Sequence, residues 1–359
     1  MPMRTADQPE RGVMGNLLGV LHTGEPGIPL DRALAALRFP ADKAAINGTT
    51  SSDGRLSIHI ASLGIYRSQI YGSSPLIFLL GKIFNLEDFI QPNGEHPPEM
   101  QKVRILTRAL RDDTVLSSFK GDFLLGGYFP EEQTLIIAND RWGLRNLYYA
   151  QVQSAFVFST RLDVLAMVPG IRAELHPPAL ADYLFFQYVL GEKTLLSDVR
   201  QMNAAGKIRV KEGIVHSSIY WKPSPLIETD IQAREAAEKV WTQIRASVDR
   251  FLVPEWRPVL ALTGGFDSRV LLCAIGASGK KIQTYGMAGE DDPDAPVATR
   301  LARMAGLPEH YIWPITLEGT LPNIPDAVRL IGGEIATLHS DTLSMLRKDP
   351  DAHHRMLTG

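Results

Sequence analysis

The sequence predicts two domains of different classes, an α+β layered domain followed by an α/β domain with a parallel, doubly wound sheet. With 359 residues, 45% of them hydrophobic, the chain is longer than one typical domain and can bury two cores. From Asn16 to roughly Trp221, short β-rich runs alternate with turn residues and with helical stretches at 100–110 and 178–190. Beyond these residues the order changes to alternating helices and strands.

The boundary between the two patterns lies at 221–225, which reads Trp-Lys-Pro-Ser-Pro. X-Pro steps disfavour helix and stiffen a chain, so this segment is typical of a connector. We therefore place the first domain at 1–222 and the second at 226–359. Hydrophobic periodicity and stop signals define the elements of the second domain. They are a helix at 231–252, strands at 258–262, 282–287 and 310–315, and helices at 269–278 and 295–305.

The amino-acid composition limits the kinds of partner that the protein could bind and the cellular compartment that it could occupy. A net charge of −3 with no long basic run argues against nucleic acid as a partner and favours small-molecule chemistry. The single cysteine, Cys273, excludes an intrachain disulfide, and we interpret it as a small buried apolar residue. The N-terminus lacks the apolar core of a signal peptide, and no run approaches the roughly 20 apolar residues of a membrane span. We expect a cytoplasmic protein without a membrane partner, and a homodimer remains open.

The most informative segment is 260–269, Leu-Ala-Leu-Thr-Gly-Gly-Phe-Asp-Ser-Arg, which predicts a strand, a loop and a helix. Gly264 and Gly265 lack a Cβ, so their amides can approach an anion, and the helix N-terminus behind them is partly positive. Asp267 is suited to hold Mg²⁺ beside a phosphate. The Ser268 hydroxyl can either donate to a phosphate oxygen or cap the helix. The alternative is an ordinary strand-to-helix turn.

Two neighbouring residues are weaker candidates at the same sheet edge. Met287 ends the next predicted strand and is a candidate neighbour of adenine, with an ordinary core methionine as an equal alternative. Asp294 precedes Ala-Pro-Val, and we interpret it as a helix cap in preference to a ribose contact. At 355–359 an apolar strand runs into Thr358 and Gly359, the pattern with which a ligand loop begins.

The glycine-rich segment is neither GxxxxGK[ST] nor GxGxxG, which excludes the Walker and dinucleotide loops. It resembles the SGGxDS pyrophosphate loop of ATP pyrophosphatases, with Thr263 in place of the first serine. This resemblance implies ATP and Mg²⁺ as cofactors, and cleavage of ATP between the α and β phosphates. Asp267 and Ser268 are then the catalytic residues, and Asp267 is also the metal ligand. The implied nucleotide-binding residues are Leu262, Thr263, Gly264, Gly265, Asp267, Ser268, Met287, Thr358 and Gly359.

Motifs in the first domain resemble the glutaminase half of asparagine synthetases, which carries GDF, RDRxGxxPLYY and FAS runs in the same order. The matching segments are 121–124, 139–149 and 156–160, followed by 193–196 and 205–207. The resemblance implies an Ntn-hydrolase-like, glutaminase-type α+β sandwich followed by an incomplete α/β parallel-sheet ATP pyrophosphatase domain of asparagine synthase type. Taken alone, 139–149 is typical of a hairpin with an Asp-Arg ion pair.

The chain departs from that family in both domains. The glutaminase nucleophile of the family is a cysteine at the mature N-terminus, whereas residues 13–16 near the matching position are Val-Met-Gly-Asn. Leu80 stands where the family has its oxyanion asparagine, so we expect the glutaminase half to be inactive. Of the LSGxGxDE motif that follows in the family, Thr358 and Gly359 match the first two positions. We therefore expect a fragment or a truncated gene.

Together these observations favour asparagine synthetase-like, ATP-dependent amide-bond formation through a substrate adenylate, with release of AMP and pyrophosphate. The expected partners are a small-molecule or peptide carboxylate and an amine donor, with ammonia or a substrate amine preferred over glutamine. The resemblance also covers beta-lactam synthetases and lasso-peptide cyclases, so a peptide macrolactam or beta-lactam cyclase is one alternative. Modification of a surface glycan is another. The third alternative is a non-catalytic nucleotide-binding remnant.

Overall fold

The computed structural model describes residues 13–24, 28–38, 46–63, 69–91, 96–224, 230–252, 258–307, 310–330 and 356–357. The described residues form a mixed α/β structure that divides into two compact units. The first unit comprises the described residues up to Ser224 together with 328–330, and the second comprises 230–327 together with 356–357.

The first unit is built from two antiparallel sheets and short helices. Its strands are β1 (Val13–His22), β2 (Ile46–Thr50), β3 (Leu56–Leu63), β4 (Gln69–Tyr71), β5 (Leu76–Ile83), β6 (Gly121–Phe129), β7 (Thr134–Asn139), β8 (Tyr148–Val152), β9 (Ala155–Ser159), β10 (Arg200–Gln201), β11 (Gly206–Lys211) and β12 (Ile214–Ile219). Its helices are α1 (Asp31–Leu37), α2 (Pro98–Arg111), α3 (Asp113–Ser118), α4 (Leu162–Ala166) and α5 (Pro177–Phe186). One sheet has the order β10-β8-β9-β1-β3-β2, and the other has the order β12-β11-β7-β6-β5-β4.

The side chains of these strands form three apolar layers. On β1, Leu17 and Leu21 point into the core between the sheets, whereas Leu18 and Val20 point to the outer face, as the period of two in a strand requires. Helices α1 and α4 pack on that outer face, and α2 and α3 pack on the outer face of the other sheet. The first unit is therefore a helix-sheet-sheet-helix sandwich.

Two phenylalanines facing two glycines join the sheets at the centre of this sandwich. Phe158 lies opposite Gly19 on the neighbouring strand, and Phe78 lies opposite Gly126 in the other sheet. The two rings stack across the inter-sheet core with their centroids 6.1 Å apart. A Cβ added to Gly126 would lie 2.0 Å from Cζ of Phe78, and one added to Gly19 would lie 2.1 Å from Cζ of Phe158. Each ring therefore occupies the space that a side chain on its partner would fill.

The hairpin predicted at 139–149 is wrong. Strand β7 belongs to one sheet and β8 to the other, so the loop between them crosses the sandwich. The buried Asp140 carboxylate accepts hydrogen bonds from the backbone N–H groups of Trp142 and Leu144, at 3.0 and 3.2 Å, rather than forming the expected ion pair within the run. Arg145 pairs instead with Asp122, with Nε 2.6 Å from Oδ1. A sheet crossover needs its turn held locally, and the Asp140 carboxylate supplies those acceptors.

The second unit contains the parallel sheet. Its elements are α6 (Ala233–Phe251), β13 (Val259–Ala261), α7 (Phe266–Ala277), β14 (Gln283–Ala288), α8 (Asp294–Met304), β15 (His310–Pro314), α9 (Leu317–Thr320), the first part of α10 (Ile324–Leu330), up to residue 327, and β16 (Met356–Leu357). The alternation agrees with the predicted elements, except that α7 begins at Phe266 and not at residue 269. Asp267 and Ser268 therefore lie in the first turn of the helix rather than in the loop.

The strand order of the parallel sheet is β15-β14-β13-β16. Strands β14 and β15 follow β13 successively on one side, whereas β16 pairs with β13 on the other side. The direction of winding therefore reverses at β13. In open α/β sheets such a switch point opens a crevice at the carboxyl ends of the strands, which is the usual place for a ligand. In the described part of the chain, no helix combines the length and apolar content needed to cross a bilayer.

The glycine-phenylalanine packing yields a testable prediction for the first unit. Replacing Gly126 by Ala should lower the free energy of unfolding by about 1–3 kcal/mol, because the new methyl group overlaps the Phe78 ring. Urea denaturation measures this change. The matched control is Gly48→Ala on the strand β2, where the added Cβ would lie 3.2 Å from a His59 ring nitrogen. An equal loss in both variants would contradict the packing argument.

Candidate functional site

The loop between β13 and α7 begins where the parallel sheet ends. Leu262 is buried, and its N–H donates to the carbonyl of Tyr285 at 2.7 Å, which continues the pairing of β13 and β14 by one residue. Thr263 is the next residue and is exposed. The predicted loop thus starts at the carboxyl edge of the sheet, at the switch point.

Hydroxyl groups tie the loop together. The N–H of Thr263 donates to Oγ of Ser268 at 3.2 Å, and that hydroxyl also lies 3.1 Å from both Oγ1 and the carbonyl oxygen of Thr263. The N–H of Gly265 donates to Oγ1 of Thr263 at 3.1 Å. Ser268 is 4% exposed. Its buried hydroxyl therefore links the first turn of α7 to the start of the loop.

The expectation that Ser268 caps α7 is wrong. The N-cap residue is Gly265, and no side chain caps this helix end. Ser268 is the third residue of the helix, and its hydroxyl reaches back to Thr263 instead. Its other expected role, donation to a phosphate oxygen, stays a prediction. In that role the hydroxyl would have to give up its hydrogen bond to a carbonyl of the loop.

Asp294 packs against the glycine pair. A Cβ added to Gly264 would lie 2.5 Å from Oδ1 of Asp294, so only glycine leaves room for this carboxylate. The predicted helix cap at Asp294 is wrong, because Pro293 is the N-cap residue of α8 and no side chain caps the helix. Asp292 turns the chain instead, since its Oδ1 accepts from the N–H of Asp294 at 2.9 Å. The Asp294 carboxylate is left facing the loop.

A small, open cleft lies beside the loop at the carboxyl edge of the sheet. Its lining residues come from β14, β15, the start of α8 and the end of β13: Leu262, Thr263, Gly286, Met287, Ala288, Asp292, Asp294, Ala295, Ala298 and Ile312. Polar and apolar surface contribute about equally to the wall, and one hydroxyl and two carboxylates lie at it. This combination is typical of a site that takes a flat apolar group bearing polar substituents. Met287 lies in the cleft, as its candidate role requires.

Asp267 is exposed in the first turn of α7, where a carboxylate interacts favourably with the helix dipole. No group of three or more His, Cys, Asp or Glu side chains is arranged to hold a metal ion in the described ranges. Asp267 could therefore hold Mg²⁺ only together with ligand oxygens and water, which is how Mg²⁺ is usually bound beside phosphates. The predicted residues Thr358 and Gly359 lie outside the described residues. The preceding strand β16 pairs with β13 through Leu260 and Leu357.

Two other groups in the second unit lie away from the cleft. Cys273 is exposed, so its interpretation as a buried residue is wrong. The buried face of α7 carries Ser268, Leu272 and Ile275, and Cys273 lies off that stripe. His310 bonds to Oγ1 of Thr284 at 2.9 Å near the amino ends of β14 and β15, and burial lowers the pKa of its imidazole. Its position there is structural.

In the first unit, the predicted position of the oxyanion group, at Leu80 and Gly81, carries an apolar side chain beside an ion pair. Leu80 is 1% exposed within the core between the sheets. Gly81 has φ +81, and a Cβ there would lie 2.6 Å from Nε of Arg145, the partner of Asp122. The side chain of Leu80 has no hydrogen-bond donor, and the neighbouring space holds a largely buried ion pair. The inactivity expected for this half stays a prediction.

Comparison with protein-family models supports the type of the first unit. Residues 103–221 match a glutamine amidotransferase domain. The predicted resemblance of the first domain to glutamine amidotransferases is thereby confirmed, whereas the closer assignment to asparagine synthetases stays a prediction. A comparison with curated protein sequences finds no match.

Two solved structures show a weak overall similarity to the chain. One is the allosteric regulatory enzyme of purine biosynthesis, at 12% identity and a TM-score of 0.37, covering 83% of this chain and 80% of that one. The other is glutamine phosphoribosylpyrophosphate (PRPP) amidotransferase from B. subtilis complexed with ADP and GMP, at 10% identity and a TM-score of 0.36, covering 83% of this chain and 81% of that one.

The contact between Gly264 and Asp294 gives a prediction for the second unit. Gly264→Ala should cost about 1–3 kcal/mol of unfolding free energy, because the new methyl group displaces the carboxylate. Gly265→Ala is the matched control and should cost less than about 1 kcal/mol, since its Cβ would meet only Oγ1 of Thr263 at 3.1 Å. Urea denaturation of both variants measures the difference.

A double variant isolates the contact itself. Combining Gly264→Ala with Asp294→Ala should recover most of the loss, because residues in contact do not contribute additively. Strictly additive losses in the double variant would show that Asp294 does not constrain residue 264.

Proposed function

We propose that the second unit binds ATP with Mg²⁺ and activates a carboxylate as its adenylate, in the manner of asparagine synthetase-type ligases. The observation that carries this proposal is the position of the 263–268 loop. It lies at the carboxyl end of β13, at the switch point of the parallel sheet, beside a small open cleft. An ordinary strand-to-helix turn needs neither the paired glycines nor the cleft.

In this proposal the loop binds the phosphates of the nucleotide, and the cleft binds its base. Thr263, Gly264 and Gly265 face the phosphates, because their amides and hydroxyl lie at the N-terminus of α7, where anions are stabilised. The base lies in the apolar part of the cleft, against Met287. Asp294, which packs on Gly264, is placed between the two parts and can accept from a ribose hydroxyl. Asp294 thus takes the ribose contact, which the sequence analysis ranked below a helix cap.

The chemistry requires positioning more than a protein nucleophile. A carboxylate oxygen of the substrate attacks the α-phosphorus, the bond to the bridging oxygen breaks, and pyrophosphate leaves. Mg²⁺ held by Asp267 would supply charge neutralisation for the leaving pyrophosphate. A bound amine then attacks the acyl carbon, and AMP leaves. Holding the reactants in line supplies a large part of the rate enhancement in such reactions.

We infer that the first unit keeps the glutamine amidotransferase fold but does not hydrolyse glutamine. The single cysteine of the sequence, Cys273, belongs to the second unit. Leu80 is buried where an oxyanion donor is required, and the Arg145–Asp122 pair lies beside Gly81. The nitrogen donor is therefore ammonia or an amine of the substrate.

The same observations favour a second candidate of the same chemistry. An enzyme that closes a ring between a carboxylate and an amine of one substrate, as a macrolactam or beta-lactam cyclase does, needs no glutamine. The inferred lack of glutamine hydrolysis in the first unit is the feature that supports this candidate. Incubation with candidate linear peptides and detection of a loss of one water by mass spectrometry distinguishes it from an ammonia-dependent ligase.

The metal role of Asp267 predicts a selective loss of binding. By calorimetry, Asp267→Asn should weaken binding of ATP in the presence of Mg²⁺ at least tenfold, about 1.4 kcal/mol, and leave adenosine binding within twofold. Asp249→Asn, an exposed carboxylate on α6, removes the same charge and should change neither. Unchanged binding in Asp267→Asn would refute the metal role.

The wild-type chain decides between an enzyme and a remnant in the same experiment. Binding of ATP without pyrophosphate release for any tested carboxylate supports the nucleotide-binding remnant. Absence of ATP binding in the presence of Mg²⁺ would contradict the proposed function altogether.

The inactive first unit predicts that the protein releases no glutamate from glutamine above the level of a heat-denatured blank. The physical reason is the missing thiol nucleophile together with the apolar Leu80. A coupled glutamate assay over hours measures this outcome. Steady glutamate release that scales with protein concentration would show that another group attacks the amide.

A further inference from the structure

Arg269, directly after the Thr-Gly-Gly-Phe-Asp-Ser run, is anchored to the loop. It is the fourth residue of α7, and its Nη2 donates to the carbonyl oxygen of Gly264. Its guanidinium carbon lies 5.7 Å from the centroid of the Phe266 ring, within the range of a cation–π contact. The Phe266 side chain is 81% exposed. The arginine is thus held between the loop backbone and an exposed ring.

The bond to Gly264 determines the direction of a neighbouring donor. The carbonyl of Gly264 and the N–H of Gly265 belong to one planar trans peptide, so they point in opposite directions. Arg269 holds the carbonyl, and the N–H consequently points to Oγ1 of Thr263. Since glycine lies on both sides of this peptide, these two hydrogen bonds, and not side chains of its own residues, limit its rotation. Arg269 therefore limits the orientation of an amide at the proposed phosphate site.

The charge of Arg269 stands at an unfavourable place. A cation near a helix N-terminus opposes the partial positive charge of that end. Nε of Arg269 is also buried, with no hydrogen-bond partner among the residues that the structure describes. A buried unpaired donor costs free energy. A ligand with negative charge at the loop would offset the unfavourable interaction of the arginine with the helix end, whereas a neutral ligand would not.

We propose that Arg269 is a positioning residue of the phosphate site, which rests on the proposed function of the second unit. It acts through the Gly264–Gly265 peptide, whose N–H it directs, and its charge favours the phosphate end of the ligand over the nucleoside end. Affinity for pyrophosphate therefore depends on Arg269, and affinity for adenosine does not.

The test compares Arg269→Met and Arg269→Lys with Arg303→Met, which removes an equal charge from the last turn of α8. Calorimetry with inorganic pyrophosphate and Mg²⁺, and separately with adenosine, gives the affinities. Arg269→Met should bind pyrophosphate at least tenfold more weakly and adenosine within twofold of wild type. Arg269→Lys keeps the charge without the planar fork and should remain at least threefold weaker for pyrophosphate. Arg303→Met should match wild type with both probes.

A second readout follows the peptide directly. With glycine-selective ¹⁵N labelling, the amide resonance of Gly265 in the ligand-free protein should shift in both Arg269 variants and stay in place in Arg303→Met. A role in overall stability alone would not move one glycine resonance selectively.

The outcomes separate this inference from the proposed function. Wild-type affinity for pyrophosphate in Arg269→Met overturns the inference while leaving the proposed function intact. An equal loss of adenosine binding in that variant also overturns it, because the damage is then general. If wild type binds neither probe nor ATP, the proposed function fails, and an unshifted Gly265 resonance would then overturn the positioning role as well.

Discussion

The candidate site depends on the parallel pairing of β13 with a strand on each side. β14 and β16 pair with the same short strand, and this reverses the winding of the sheet at β13. A loop that follows β13 cannot be covered by the next crossover helix on both sides, because the connections depart in opposite directions. The paired glycines, the cleft and the start of α8 all meet at this point. Without the reversal, the same loop would be an ordinary turn at a sheet edge.

Hydrogen bonds within the loop satisfy several of its polar groups. Ser268 and Thr263 exchange hydrogen bonds with the backbone, and Arg269 holds the carbonyl of Gly264. Such bonds offset the cost of leaving backbone groups unpaired at a sheet edge. They also mean that an anion must replace internal bonds rather than meet free donors. Differences in affinity among ligands then depend on how well each replaces them.

The first unit is held together by apolar packing between its two sheets. Its stability comes from the inter-sheet core, where the stacked Phe78 and Phe158 join the sheets. None of that packing needs a nucleophile or an oxyanion donor. Leu80 belongs to this apolar core and contributes to it only through packing.

The sequence by itself determined the kinds of elements and the loop at 263–268, because periodicity, glycine pairs and helix signals are local properties. It predicted the alternating strands and helices of the second unit to within a few residues. It did not predict that Ser268 bonds to the loop, that Asp294 packs on Gly264 or that Cys273 is exposed. It also did not predict that 139–149 crosses from one sheet of the sandwich to the other. Each of these depends on which distant segment lies alongside, since a hydroxyl, a carboxylate or a turn takes the partner that the folded chain brings within about 3 Å. Only the tertiary structure decides that neighbour.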